Sequence, residues 1–289
     1  MSVGKTPPLL QQQLARELAR LRSLAGLDQR EIGKRINLSQ PMVSRAERAE
    51  KLLPLPKVLA WGEVCGASQE VLDRLSALTE AAFTQVEAWR GLMPESPQLQ
   101  DAVRANEATT RTLLYYSSTV IPGLLQTPAY AEHVLRLTNY TGHEDEAAAL
   151  AGRWRRQEAL SDRTRHFGFL LPEAVLRWPP ACSREVLATQ LDRVATVAEQ
   201  VNVSLGVVPE GKEPVLPFHG FTIYADRGED DPFVAVELVH TYVTVNHPAD
   251  VALYRDIYHR LASAAVTGPD AVALMQRMTT RLRNGEEHR

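Results

Sequence analysis

The feature that most constrains this 289-residue chain is a short stretch near its N-terminus, where two helical patterns are separated only by Asn37, Leu38 and Ser39. Asp28 is a good N-cap, because its carboxylate can accept the free N–H groups of a first helical turn. The helix it opens runs over residues 29–36, with Ile32 and Ile36 facing inward. Asn37 tolerates the left-handed backbone that a tight inter-helix turn needs. Leu38 plugs the core and Ser39 caps the next helix, residues 40–48. Pro41 lies in the first turn of that helix, where its missing N–H costs nothing. Gly33, inside the second helix, predicts a slight weakening of it. Upstream, Leu14, Leu18, Leu21 and Ala25 recur three and four apart, predicting a helix over residues 9–24 that Gly26 terminates. After a Leu- and Pro-rich loop, residues 57–64 and 69–92 read as two further helices, with Trp61, Val64, Leu72, Leu75 and Leu78 as core. Two short helices joined by a tight turn with a buried plug describe a helix-turn-helix.

Charge supports the same reading once it is divided along the chain. Thirty-two basic and 35 acidic residues give a net −3, which taken whole disfavours a polyanionic partner. Residues 1–60 hold eleven Lys and Arg against five Asp and Glu, a net +6, which leaves −9 on the remaining 229. A basic head on an acidic body is expected when one domain alone meets a polyanion.

The stretch Leu27-Asp-Gln-Arg-Glu-Ile-Gly-Lys-Arg-Ile-Asn-Leu-Ser-Gln-Pro-Met-Val-Ser-Arg-Ala-Glu47 resembles the lambda-repressor/Cro-like DNA-binding domain of the xenobiotic-response-element type. The resemblance implies that the third helix enters the major groove with its N-terminal residues toward base edges. Val43 points to the core, which leaves Gln40, Ser44 and Arg45 outside. Gln matches adenine N6/N7 and Arg matches guanine O6/N7, so Gln40 and Arg45 are the expected base readers, with Ser44 on a base or a phosphate. Gln29 resembles the phosphate-clamping glutamine of that family, at a helix N-terminus whose free N–H groups and dipole favour an anion. Arg30, Lys34, Arg35, Ser39 and Arg48 are further phosphate candidates, with solvent as the alternative for Lys34 and Arg35. Pro41 stands where relatives often carry another base-reading side chain.

Residues 91–97, rich in Gly and Pro, mark the clearest boundary. They divide a helix-turn-helix domain, residues 1–92, from a second domain, residues 98–289. There the texture becomes mixed. Residues 101–111, 127–138, 145–160, 183–199, 248–264 and 270–282 read as helices, with Thr127 and Ser183 as N-caps and Pro128 at a first helical position. Residues 113–120, 167–171, 201–208, 221–224, 233–239 and 242–245 read as strands. The expectation is an all-α head joined to an α+β body of about five strands covered by helices.

The segments Ile121-Pro-Gly-Leu-Leu-Gln-Thr-Pro-Ala-Tyr-Ala131, Arg156-Gln-Glu-Ala159 and Gly220-Phe-Thr-Ile-Tyr224, with Tyr254-Arg255 and Leu261-Ala262, resemble a group of actinobacterial regulators. These are described as WhiJ-like, or as Scr-type antitoxin-like, and carry a C-terminal domain of unknown function. The resemblance implies a transcriptional regulator whose body docks a small protein encoded nearby. Its motifs are apolar and point to no catalytic site.

Enzyme chemistry finds little support. The chain has no Gly-rich phosphate loop, no Gly-x-Ser-x-Gly elbow and no His-Glu-x-x-His, and no cofactor is expected. Cys65 and Cys182 make neither a disulfide framework nor a zinc pattern. His240 and His247, and the acidic run at residues 226–231, are read as ordinary polar positions and a solvated connection rather than as metal ligands. Arg153, Arg155 and Arg156 read as either an anion or partner surface or a solvated helix end. Tyr115, Tyr116, Trp154, Phe167 and Phe169 read as either a ligand pocket or core. With no apolar run long enough to span a bilayer and no signal-like N-terminus, the expected setting is the cytoplasm. The expected partners are double-stranded operator DNA and a second copy of the chain, since one head makes few contacts.

Overall fold

The computed structural model describes residues 9–88, 97–139, 146–178, 182–228, 231–238 and 241–285. The chain forms two compact units, residues 1–85 with 245–247, and residues 86–244 with 248–289. The boundary read at residues 91–97 lies, Pro97 apart, outside the described residues.

Among the described residues the first unit holds five helices: α1 (Leu9–Leu24), α2 (Gln29–Ile36), α3 (Gln40–Glu47), α4 (Leu55–Val64) and α5 (Gln69–Phe83). Local chemistry sets most of their ends. Asp28 accepts from the N–H groups of Arg30 and Glu31, and Glu31 returns a bond to the Asp28 N–H, a reciprocal capping box. Ser39 accepts from Met42 N–H. At the other end, α1 to α4 each stop at a left-handed residue: Gly26 (φ 68°), Asn37 (55°), Ala49 (58°) and Gly66 (71°). After each, the chain turns back to pair with the helix it has left. Leu27 N–H donates to Arg22 O at 3.2 Å, Leu38 to Gly33 at 2.8 Å, Glu50 to Arg45 at 2.9 Å and Ala67 to Gly62 at 2.9 Å. Glycine takes this conformation without penalty, whereas Ala49 crowds its Cβ against its own carbonyl.

Leu14, Leu18, Leu21, Ile32, Ile36, Val43, Leu53, Val58, Trp61 and Leu75 make the core of this unit. Trp61 is fully buried, and its indole N–H donates to Leu18 O at 3.1 Å. Leu38, the expected plug, is partly buried against the cluster. Gly33 proves to have a packing reason. A Cβ there would lie 2.6 Å from the Leu38 carbonyl oxygen and 3.3 Å from Val43, so glycine lets the turn fold tightly onto α2. The expected helix over residues 69–92 ends at Phe83, and Thr84–Ala88 is a strand, β1.

The second unit is α+β. Its remaining elements are α6 (Pro97–Ala108), β2 (Thr112–Tyr116), α7 (Pro128–Thr138), α8 (Glu146–Gln157), β3 (His166–Pro172), α9 (Glu173–Arg177), α10 (Arg184–Ala198) and β4 (Val203–Val208). Then follow β5 (Phe221–Asp226), β6 (Phe233–Glu237), β7 (Thr241–Val245), α11 (Pro248–Ala264), β8 (Val266–Thr267) and α12 (Gly268–Arg283). The sheet has eight strands in the order β1-β7-β6-β5-β2-β3-β4-β8, where about five were expected. β1 follows directly on the helical pattern of α5, and β8 is two residues long, so neither stands out in the sequence. Strands β2, β3 and β4 run parallel, while β5, β6 and β8 join antiparallel.

β3 is buried on both faces, as a central parallel strand should be. Phe167, Phe169 and Leu171 join Leu187, Leu191 and Val194 of α10 and Met275 and Met278 of α12 in one cluster. On the other face Gly168 faces Tyr258 of α11, where a Cβ would lie 2.4 Å from the phenol oxygen. Helices therefore cover both sides of the sheet centre.

Candidate nucleic-acid interface

The face that α3 turns outward follows from what it buries. Val43 and Ala46 lie in the core at 0% and 3% exposure, which sets Gln40, Ser44 and Arg45 on the remaining surface. Gln40 is exposed, Ser44 and Arg45 are half-buried, and Ser39 is exposed beside them. Arg45 has no hydrogen bond or ion pair among the described residues, though its charge helps hold the Glu50 carboxyl below its ordinary range after the dominant bond from Arg48.

A chain of polar contacts runs under this surface. The Arg22 guanidinium of α1 donates to both carboxylate oxygens of Glu47 on α3, at 2.5 and 3.0 Å, and to Leu27 O at 2.8 Å. The Gln29 amide, at the start of α2, donates to Glu47 Oε2 at 2.7 Å. Gln40, at the start of α3, donates its own amide to Gln29 Oε1 at 2.9 Å. One expected phosphate contact and one expected base reader are thus joined directly. Glu47 and Arg22 carry no such role in the sequence reading. Their only sequence signal is a charged pair 25 residues apart.

Arg48 is also engaged. It pairs with Glu50 through Nε at 2.8 Å and a terminal nitrogen at 2.9 Å, and donates to Ser44 Oγ at 2.9 Å. A phosphate must compete with Glu50 for it. Arg30, Lys34 and Arg35 are exposed. Lys57 donates to Ile36 O at 2.7 Å and so closes the C-terminus of α2, another cation the sequence left unassigned.

In the second unit the candidate surface proves largely internal. Glu107 is 2% exposed and receives Arg156 at 2.6 and 3.0 Å, with the Tyr115 hydroxyl donating to it at 3.0 Å. Burial and then the Glu107 charge push the Tyr115 phenol well above its ordinary range. Burial opposes charge on Arg156, yet Glu107 leaves it more basic than a free guanidinium. Tyr116 is 4% exposed and packs on Phe221. Phe167 and Phe169 are fully buried, with Tyr115 stacked on Phe169. Tyr115, Tyr116 and Arg156 are therefore interior groups rather than an open surface, because a carboxylate on α6 draws Arg156 inward. Arg153 packs on Gly123 and donates to Gln126 at 2.7 Å. Of the five residues, Trp154, at 51% exposed, faces solvent.

The distinctive Ile121–Thr127 segment is structural too. Gln126, 2% exposed, donates to Ile121 O at 2.7 Å. Gln157 donates to Gly123 O and Gln126 O, while Gln190 receives Thr127 N–H and donates to Leu125 O. Three side-chain amides, two of them buried, satisfy a turn that regular structure does not.

Among the described residues no group of three or more His, Cys, Asp or Glu is arranged to hold a metal. His247 sits edge-on to Phe83, ring centroids 5.2 Å apart; His240 and residues 229–230 of the acidic run lie outside the described residues. No described helix is long and apolar enough to cross a membrane.

Neither a curated protein nor a solved structure matches the chain. Residues 13–75 match the helix-turn-helix domain family, which gives the first unit a DNA-binding, regulatory architecture. Residues 100–277 match a family described as a domain of unknown function, DUF5753. Because that match covers more than half of the 289 residues, the chain belongs to the DUF5753 family, joined here to an N-terminal helix-turn-helix domain.

Proposed function

We propose that this protein is a sequence-specific, DNA-binding transcriptional regulator of the WhiJ-like or Scr-type antitoxin-like kind, acting as a homodimer in the cytoplasm. The observation that carries the reading is the outer face of α3, where Gln40, Ser44 and Arg45 stand clear of the core on a helix capped and tethered at both ends. Gln40 and Arg45 read base edges, Ser44 a base or phosphate. Gln29, Arg30, Lys34, Arg35, Ser39 and Arg48 position the backbone. A dimer sets two such heads on half-sites about 34 Å apart. The body receives the input, a small partner protein or a metabolite, with Trp154 as one of its exposed aromatics.

The test begins by selecting bound duplexes from a random pool with the full chain. Arg45→Ala should then cost about 1–3 kcal/mol on the selected site and relax preference at one base position. Equal loss on every sequence makes Arg45 a phosphate contact instead. Light scattering checks the dimer, and a purely monomeric protein bound tightly to one half-site sinks that part of the reading.

A further inference from the structure

We infer that a cleft in the second unit, where α10 ends and β4 begins, is a binding site for a free amino acid with an apolar side chain. The inference rests on the reading of the body as the domain that receives an input, and it names the class of metabolite. The cleft holds about 470 Å³, within the range of small-molecule sites. Its wall comes from the end of the short 3-10 helix Glu158–Ser161, from Arg163 just beyond it, and from residues 196–202.

The neutral polar groups of this wall face the cleft with the same polarity. Asn202 is 6% exposed, and its Nδ2 donates to Leu160 O and to Asp162 O, both at 3.1 Å. A side-chain amide has two N–H groups, so both are spent on the chain, and the carbonyl oxygen is the end left to the cleft. Ser161 spends its one O–H on Glu158 O at 2.6 Å, and Thr196 spends its own on Asp192 O at 2.9 Å. Toward a ligand these hydroxyl oxygens can then only accept. Glu199, exposed and in no ion pair among the described residues, adds a carboxylate. The C-terminal end of α10 adds the negative pole of a helix. Such a wall takes a cationic donor, and a primary ammonium has three N–H groups and no acceptor.

A cation of the chain lines the same cleft. Arg163 is exposed and makes no ion pair among the described residues. It would repel a bare amine, but a carboxylate on the same ligand turns it into a partner, since guanidinium and carboxylate match as a fork. The ligand therefore carries both charges. Leu160 and Val201 supply apolar surface, and Val201 is 83% exposed, so a side chain laid against it removes hydrocarbon from water. An ammonium, a carboxylate and an apolar side chain together make an α-amino acid.

The test is calorimetric titration of the full chain with L-leucine, without DNA. L-leucine should bind, and N-acetyl-L-leucine, which has lost its ammonium, should bind at least about tenfold more weakly. Glycine should fall behind by about tenfold for want of a side chain to lay on Val201. Two substitutions at exposed positions then place the ligand in this cleft. Glu199→Gln should weaken L-leucine and its methyl ester alike, by about tenfold. Arg163→Met should weaken L-leucine by a similar factor and leave the methyl ester, which has no carboxylate, as it was.

The inference is overturned if neither L-leucine nor any other L-amino acid with an apolar side chain binds at about 10 mM. It is overturned as well if both variants bind L-leucine as the wild type does, or if Arg163→Met weakens acid and ester equally. Binding that leaves affinity for the selected duplex unchanged keeps the site and removes the regulatory reading of the body. A chain without sequence preference for DNA sinks the DNA-reading function and leaves the cleft standing.

Discussion

Each unit of this protein contains an arginine–glutamate pair with a further polar group attached, and the two are put to different ends. In the head, Arg22 and Glu47 are linked through Gln29 to Gln40, which is exposed. In the body, Arg156 and Glu107 close on the Tyr115 hydroxyl, which is buried. The open chain leaves unused donors and acceptors at a surface. The closed one turns its polar groups toward one another inside. A buried charge pair is a weak argument for stability in itself, yet removing one partner is costly because the other stays buried. The same chemistry therefore ends at the surface in one unit and in the interior in the other.

The sharpest way to break this contrast is Arg156→Met. It strands Glu107, 2% exposed, and should destabilise the body by about 3–5 kcal/mol. Segment-resolved hydrogen exchange should show the loss in residues 97–283 while protection of α1 to α5 holds. Equal loss in the head shows that the two units unfold together. Next in size is Gly33→Ala. Helix propensity alone favours the change by about 1 kcal/mol. The Cβ, however, meets a backbone oxygen at 2.6 Å, and the strain of overpacking should reverse the sign to a net loss of about 1–2 kcal/mol, read as a lower urea midpoint for the head. A gain in stability means the Leu38 turn moves aside freely.

A smaller effect of opposite sign is expected at Ala49, where φ is 58°. Ala49→Gly should stabilise the end of α3 by about 1 kcal/mol, visible as slower exchange of the Glu50 amide. The least is a pH effect at Asp28. Backbone N–H bonds from Glu31 and Arg30 hold its carboxyl below the usual 3.8. The folded value is depressed, so its contribution is complete above the ordinary aspartate range and is lost as pH falls through the folded value. Asn caps nearly as well as Asp but does not titrate there. The wild-type advantage over Asp28→Asn should therefore shrink on acidification from about pH 7 to about pH 3. A constant difference places the pH sensitivity of the head elsewhere.

What the sequence made legible follows the range of the forces involved. Asp28, Asn37 and Ser39 act within a few residues of themselves, so the ends of α2 and the start of α3 were readable one residue at a time. Thr127 and Ser183 were readable for the same reason, each accepting from the N–H three residues on. The roles of Gly33, Glu47 and Glu107 depend on partners 5, 18 to 25, and 49 residues away. No local pattern announces those. Arg156 shows the cost: in sequence it belongs to a cationic helix end, and only the distant Glu107 turns it inward. Likewise β1 follows directly on α5 and is too short to break the longer helical pattern before it, so its place in the order of the sheet was not legible.

The Ile121–Thr127 turn has a consequence for how relatives of this protein are compared. The amide of Gln126 closes the loop on itself, and those of Gln157 and Gln190 tie it to two other parts of the chain. A chain that shares this segment shares a way of closing its scaffold. The segment is scaffold, so chains alike here are free to differ in whatever they bind. Ligand specificity should be sought in exposed positions such as Trp154, where a substitution can alter a partner without opening the knot.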